Sequence, residues 1–122
     1  DTSTFDCSDF TRHVYLGALG IDITKDSRSQ MQYVKQAGSR IYTDLRQAKK
    51  GDLLFFMSYR GWREEDYRGV NAARHTITHT GIYIGDGNML HTASRATGGV
   101  RVDYLYDKHL EWRFVGGGGV LP

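Results

Sequence analysis

Apolar residues change their spacing twice along this 122-residue chain, and those changes mark out its elements. From Ser8 to Leu19 they recur at helical spacing, at Phe10, Val14, Leu16 or Ala18, and Leu19, which predicts an amphipathic helix. Gly20 stops it, and Ser8 or Asp6 caps its start. A second helix is predicted from Ser27 to Ala37, with Met31, Val34 and Ala37 as its apolar side and Gly38 at its C′ position. Then the period shortens. Asp52-Leu53-Leu54-Phe55-Phe56-Met57, introduced by Lys50-Gly51, reads as a buried strand. Ser58 to Thr76 is polar and lacks a clear period, so it is a loop or insertion longer than a compact domain keeps without a use.

Ile77 to Ile84 and Met89 to Thr92 flank Gly85-Asp86-Gly87 and predict a hairpin. Val100-Arg101-Val102 and Trp112-Arg113-Phe114-Val115 are further strands, and Gly116 to Gly119 reads as flexible punctuation before Val120. Helices first and strands afterwards predict an α+β domain with helices packed on an antiparallel sheet. The length suits one domain, residues 1–122, and the start so close to Cys7 suggests a processed fragment or a piece of a longer protein. No apolar run approaches the roughly 18 residues that span a bilayer, and no membrane span is expected.

A net charge of +2 lacks the footprint of a nucleic-acid binder, so no nucleic-acid partner is expected. Eleven of the cationic residues are Arg and five are Lys. Arg grips carboxylates in a bidentate fork, which suits an anionic peptide or polymer; most of these charges are also accounted for as solvated surface. The single cysteine excludes an internal disulfide and a Cys-based zinc site. No His-x-x-x-His or His-Glu-x-x-His spacing occurs, and neither a metal nor another cofactor is expected.

That cysteine, Cys7, falls at the start of the first helix, where unpaired N–H groups and the helix dipole favour a thiolate. Such surroundings, with an imidazole nearby, bring a thiol pKa from about 8.5 to roughly 3.5–7.5. Polar Asp6 and Ser8 on either side argue against a buried structural cysteine. His79 and His91 lie on the two arms of the hairpin. A two-residue Asp86-Gly87 turn sends them to opposite faces. A three-residue Gly85-Asp86-Gly87 loop pairs Gly81 with His91 and makes the histidines diagonal neighbours on one face. The second register is the one thiol-hydrolase chemistry requires. In it His79 takes the proton of Cys7, Cys7 attacks a carbonyl, His79 protonates the leaving amine, and His91 orients His79. Backbone N–H groups at the helix start would hold the oxyanion. His13 falls nearly on the opposite side of the helix from Cys7, His75 sits in the polar insertion, and His109 has no partner pattern.

Four blocks carry a resemblance. Asp6-Cys7-Ser8-Asp9-Phe10 is similar to the Asp-Cys-Ser-Gly-Phe motif of the NlpC/P60 family of bacterial cysteine peptidases. Lys50-Gly51-Asp52-Leu53-Leu54-Phe55-Phe56 resembles that family's Gly-Asp-Leu-x-Phe-Phe strand. His79-Thr80-Gly81-Ile82-Tyr83-Ile84-Gly85-Asp86-Gly87 resembles its His-Val-Gly-Ile-Tyr-x-Gly-x-Gly hairpin, and Leu90-His91-Thr92-Ala93 its closing Ile-His-Ala. The resemblance implies a papain-like α+β fold and a catalytic triad of Cys7, His79 and His91. It implies hydrolysis of γ-D-glutamyl bonds in peptidoglycan stem peptides, hence an extracellular or cell-wall location and a protein expected to act as a monomer. Some relatives cut poly-γ-glutamate instead, and others have lost activity, so a γ-linked glutamate polymer and a non-catalytic wall-binding or phage-tail module stay open as alternatives.

The motif matches imply that Asp6 and Ser8 shape the substrate site. The chain departs from the pattern at Asp9, where the family has glycine, adding a carboxylate that raises the thiol pKa or meets a substrate amine. The upstream segment with which family members bring a tyrosine near the cysteine is not in this chain. The Ser58–Thr76 insertion is longer than the family's connection. With Arg60, Arg63, Arg68 and Arg74 it is expected to form a wall of the cleft that reads substrate carboxylates, Arg60 and Arg63 foremost, or else a solvated flap.

Overall fold

A computed structural model of the chain describes residues 7–38, 40–92 and 99–120. Two helices, α1 (Cys7–Leu19) and α2 (Ser27–Ala37), precede β1 (Arg40–Tyr42), β2 (Leu53–Phe56), β3 (His79–Gly85), β4 (Asn88–Thr92) and β5 (Val100–Tyr104). A single-turn α3 (His109–Trp112) and β6 (Phe114–Gly119) follow. The six strands form one antiparallel sheet in the order β1-β6-β2-β3-β4-β5, as the α+β expectation required. Among the described residues no helix is long and apolar enough to cross a membrane.

β2 is apolar without interruption because both of its faces are covered. Leu53 and Phe55 join Phe10, Tyr15, Ile23, Met31, Val34 and Ile82 beneath the two helices. Leu54 and Phe56 point the other way, into a cluster with Tyr42, Leu45, Tyr83, Met89, Leu105, Leu110 and Phe114. All four β2 residues are fully buried, and each such side chain contributes about 1.5–3 kcal/mol relative to exposure.

α1 turns a more polar face to the sheet than its pattern predicts. Ser8, Phe10, Thr11 and Tyr15 are buried, whereas Leu16 and Leu19 are each 43% exposed. The polar positions belong to a clamp. Thr11 Oγ1 donates to Gln30 Oε1 at 2.7 Å, and Gln30 Nε2 donates to the carbonyls of Ser8 and Thr24 at 2.9 and 3.0 Å. Gln30 is wholly buried, where an unmet polar group costs about 1–3 kcal/mol, so this network pins the first turn of α1 to α2. The helix begins at Cys7, which puts Ser8 inside it instead of at its cap; Asp6 lies outside the described residues. α2 keeps its expected bounds and is capped by Asp26, which accepts from Ser29 N at 2.8 Å, but Ala37 is exposed and Gln30 is buried with Met31 and Val34.

The glycine run is a strand, not punctuation. β6 lies between β1 and β2, and all six of its residues are buried. A Cβ at Gly116 would stand 2.9 Å from Met31 Cε, and one at Gly117 2.9 Å from Leu53 O. One at Gly118 would stand 2.6 Å from Val34 Cγ1 and closer still to Arg40 O. α2 and the neighbouring strands approach so closely that only glycine fits, and the ladder hydrogen bonds supply the order that side chains normally provide. Trp112 closes the turn of α3 instead of opening a strand, and β6 starts at Phe114.

The polar segment between β2 and β3 contains no strand, but it is anchored. Tyr67 is buried at 6% exposure; its hydroxyl accepts from Arg60 N at 2.8 Å and donates to Gly61 O at 3.0 Å. Short 3-10 turns at Glu64–Tyr67 and Ala72–Arg74 complete the segment.

Candidate active site

The hairpin reaches the expected register by a different device. Its turn is the two-residue Asp86-Gly87, with φ of 55° and 80° as a type I′ turn needs, and it closes on the pair Gly85↔Asn88. Taken alone, that turn would separate the histidines. A bulge between Tyr83 and Gly85 shifts the register by one, so that Ile82 faces Leu90 and Gly81 falls opposite His91. His79 and His91 therefore share a face. His79 Nε2 lies 2.8 Å from His91 Nδ1, with the rings at 75°. Gly81 leaves room for this meeting, since a Cβ there would stand 3.0 Å from His91 Cβ. The Phe56 ring, 5.9 Å away, backs the His79 imidazole.

Cys7 opens α1, and its Sγ lies 3.9 Å from the carbonyl oxygen of Thr78. The thiol thus sits beside the residue that immediately precedes His79. It remains partly exposed. The Gln30 clamp holds this helix start, and the β2–β3 pairing Phe56↔His79 holds the strand start, so both groups rest on fixed elements.

A fourth residue, Asp103 on β5, was not anticipated. His91 Nε2 lies 2.7 Å from Asp103 Oδ2, and Arg101 Nη2 donates to Asp103 Oδ1 at 2.8 Å. Burial alone would raise the Asp103 carboxyl, but the bonds from His91 and Arg101 outweigh it and hold the group below its ordinary value. As a carboxylate Asp103 can only accept, so His91 Nε2 carries the proton. Burial keeps His91 neutral by lowering its pKa despite Asp103, which leaves its Nδ1 as an acceptor. His79 Nε2 must then donate to it. His79 is pushed down to about 3, first by burial and next by His91, Arg113 and His109, with Asp103 opposing. Its Nδ1 is accordingly an unprotonated base. The chain of bonds sets one tautomer throughout.

Asp103 was missed because the predicted strand stopped at Val102. The signal was present: once Arg101 is paired with His91, residue 103 shares its face.

The remaining candidates separate. Ser8 is buried at 7% exposure with its carbonyl held by Gln30, while Asp9 is exposed in the first turn of α1. Asp6 lies outside the described residues. Arg60 is exposed, and Arg63 pairs with Glu65 at 2.8 Å and Asp66 at 3.6 Å while resting on Trp62. Among the described residues neither arginine bonds to the histidine pair. His13 and His75 are exposed. His109, which no pattern singled out, stands near the pair together with Arg113.

A cysteine at a helix start beside a histidine hairpin on an antiparallel sheet defines a class of proteins, and comparison with known families and structures gives it a name. The chain matches the NlpC/P60 family over residues 1–118 and belongs to it. It is 34% identical over 88 residues to the gamma-D-glutamyl-L-lysine dipeptidyl-peptidase of Bacillus cereus, which covers 72% of this chain and 21% of that protein. It is 32% identical over 104 residues to the probable endopeptidase p60 of Listeria innocua, covering 85% and 17%. A crystal structure of an NlpC/P60 family protein from Bacillus cereus superposes with a TM-score of 0.70 at 30% identity, over 97% of this chain and 32% of that one. The NlpC/p60 domain of the peptidoglycan hydrolase SagA gives 0.64 at 29% identity, over 98% and 80%. The chain therefore spans about a fifth of the length of the curated relatives it matches.

Proposed function

We propose that residues 1–122 are a cysteine endopeptidase domain that hydrolyses γ-D-glutamyl bonds in peptidoglycan stem peptides, working at the cell wall as a monomer. The observation that carries this reading is the convergence of the Cys7 thiol on the start of β3, where His79 presents an unprotonated Nδ1 and is held through Nε2 by His91. His79 Nδ1 removes the thiol proton, and Cys7 Sγ adds to the scissile carbonyl. Backbone N–H groups at the start of α1 receive the oxyanion. His79 then returns the proton to the leaving amine, and water releases the acyl group by the same relay in reverse. His91 and Asp103 are positioning residues that keep His79 in the Nε2–H tautomer. The names of the relatives, a γ-D-glutamyl peptidase and a peptidoglycan hydrolase among them, support the bond and the substrate.

Mass spectrometry of products from defined stem peptides and from poly-γ-glutamate tests the proposal. Fragments ending at D-Glu establish it. Release of γ-glutamate oligomers alone moves the activity to the polymer, and no cleavage of either by folded protein sinks it.

Asp103→Asn probes the relay. Arg101 can only donate, so the Asn oxygen turns towards it and the amide NH2 faces His91 Nε2. That reverses both histidine tautomers and places a proton on His79 Nδ1. We expect kcat to fall about 100-fold with KM little changed, a smaller loss than the roughly 10⁴-fold recorded when the acid touches the catalytic histidine directly. Asp103→Glu should recover part of the rate. Equal activity of Asp103→Asn and wild type would remove Asp103 from the relay.

A further inference from the structure

Arg113 is a charge without a counter-charge among the described residues. The residue is only 9% exposed, yet among the described residues no carboxylate pairs with it. Its Nε donates to Met57 O at 2.9 Å, and Nη1 lies 3.1 Å from His109 Nδ1. The Tyr59 ring stands 5.8 Å from its Cζ and packs edge-on against His109 at 4.8 Å. Among the described residues, the groups that raise the Arg113 pKa against burial are Tyr67 and Tyr59. Nη2 has no hydrogen-bond partner among the described residues, and it is not one of their sealed polar atoms.

A buried guanidinium held only by neutral groups is costly unless an anion completes it. Its position says which anion. Phe56 pairs with His79 on one side and with Phe114, the residue after Arg113, on the other, and Arg113 and His109 both act on His79, so the cation lies beside the proposed reacting centre. A γ-linked glutamyl residue keeps its α-carboxylate free, a few bonds from the carbonyl under attack. An amino acid on the leaving side can present a carboxylate as close.

We propose that Arg113, steadied by Met57 O and His109, binds a substrate carboxylate next to the scissile bond and so selects acidic over amidated peptides. This rests on the γ-glutamyl peptidase reading but differs from the expectation that Arg60 and Arg63 read the substrate. Arg63 is already paired with Glu65 and Asp66, whereas Arg113 has no carboxylate partner among the described residues. Nη2, and Nη1 if His109 yields it, supply a two-pronged donor pair for the incoming group.

The test compares three stem peptides: one with both carboxylates free, one amidated at the glutamyl α-carboxyl, and one amidated on the leaving residue. Wild type is expected to favour the free acid by about tenfold or more in kcat/KM over one of the two amides, and which amide suffers identifies the carboxylate bound. Arg113→Gln keeps a donor for Met57 O without the charge, and it should bring that ratio near one by losing activity on the acid alone. Arg113→Lys should retain part of the preference. A ratio unchanged in Arg113→Gln, even with both rates lowered, overturns the proposal and leaves Arg113 a structural residue. Binding of the same peptides to Cys7→Ala keeps the two claims apart. If wild type cleaves none of them while Cys7→Ala still binds acid over amide through Arg113, the peptidase reading fails and the carboxylate site stands.

Discussion

The Cys7→Ala protein is expected to fold as wild type does and to release no product from a γ-D-glutamyl peptide, a loss of about 10⁴-fold or more. No alternative nucleophile is positioned by α1, and the oxyanion donors alone cannot form the acyl intermediate. Stability should change by less than about 1 kcal/mol, because Cys7 is partly exposed and its removal leaves no sealed cavity. His79→Ala should lose about 10²- to 10⁴-fold. The double variant should be no worse than Cys7→Ala, since the two groups act as one unit and their losses do not add. Single-turnover product analysis with a thermal melt on each variant checks this. Activity of Cys7→Ala within tenfold of wild type would refute the thiol mechanism outright.

His79 also leaves a mark on stability. Its pKa in the fold is about 3, below the ordinary 6.5, so between those values the unfolded chain binds more protons than the folded one. Stability should therefore fall as pH drops from about 6.5 towards 3, with no contribution from this group above that window. His79→Gln should flatten the acid side of a plot of urea midpoint against pH. An unchanged slope would mean that the imidazole is solvated rather than held neutral by burial.

Local physics made the helices legible, and with them the place of Cys7 at a helix start. Ser27 to Ala37 came out with its bounds intact because Asp26 and Gly38 punctuate it, and β2 announced itself because a central strand covered on both faces has no polar positions. What the pattern could not show was set by neighbours distant in sequence. Leu16 and Leu19 fit a helical stripe, but the polar clamp through Gln30 chose which side of α1 faces the sheet. The histidine register was inferred from what the chemistry needs, and the bulge that produces it has no signature apart from the glycines around it. Asp103 and Arg113 were passed over for a related reason. Each gains its meaning from a partner on another strand or loop, His91 for one and Met57 for the other.

β6 shows the same lesson at its strongest, and Gly118→Val should be the most damaging substitution for the fold. The added Cβ would press on Val34 Cγ1 and on the Arg40 carbonyl oxygen, which belongs to β1 paired with β6. Backbone cannot step aside as a flexible side-chain tip can, so β1 or α2 must move. We expect a loss of about 3 kcal/mol or more, a large share of the roughly 5–15 kcal/mol that holds a domain of this size together. Gly17→Ala is the matched control. It sits within α1 with nothing inside 4 Å of its would-be Cβ, and it should gain about 0.5–1 kcal/mol by stiffening the unfolded chain. Urea midpoints of both variants separate crowding from flexibility. If Gly118→Val melts with wild type, the run is punctuation after all and the packing argument for β6 is wrong. The consequence reaches the site, because Arg113 directly precedes Phe114, the first residue of β6. A strand displaced by one side chain would carry that guanidinium away from His79, so Gly118→Val protein that still folds in the cold should lose its preference for acidic peptides before it loses turnover of the amides.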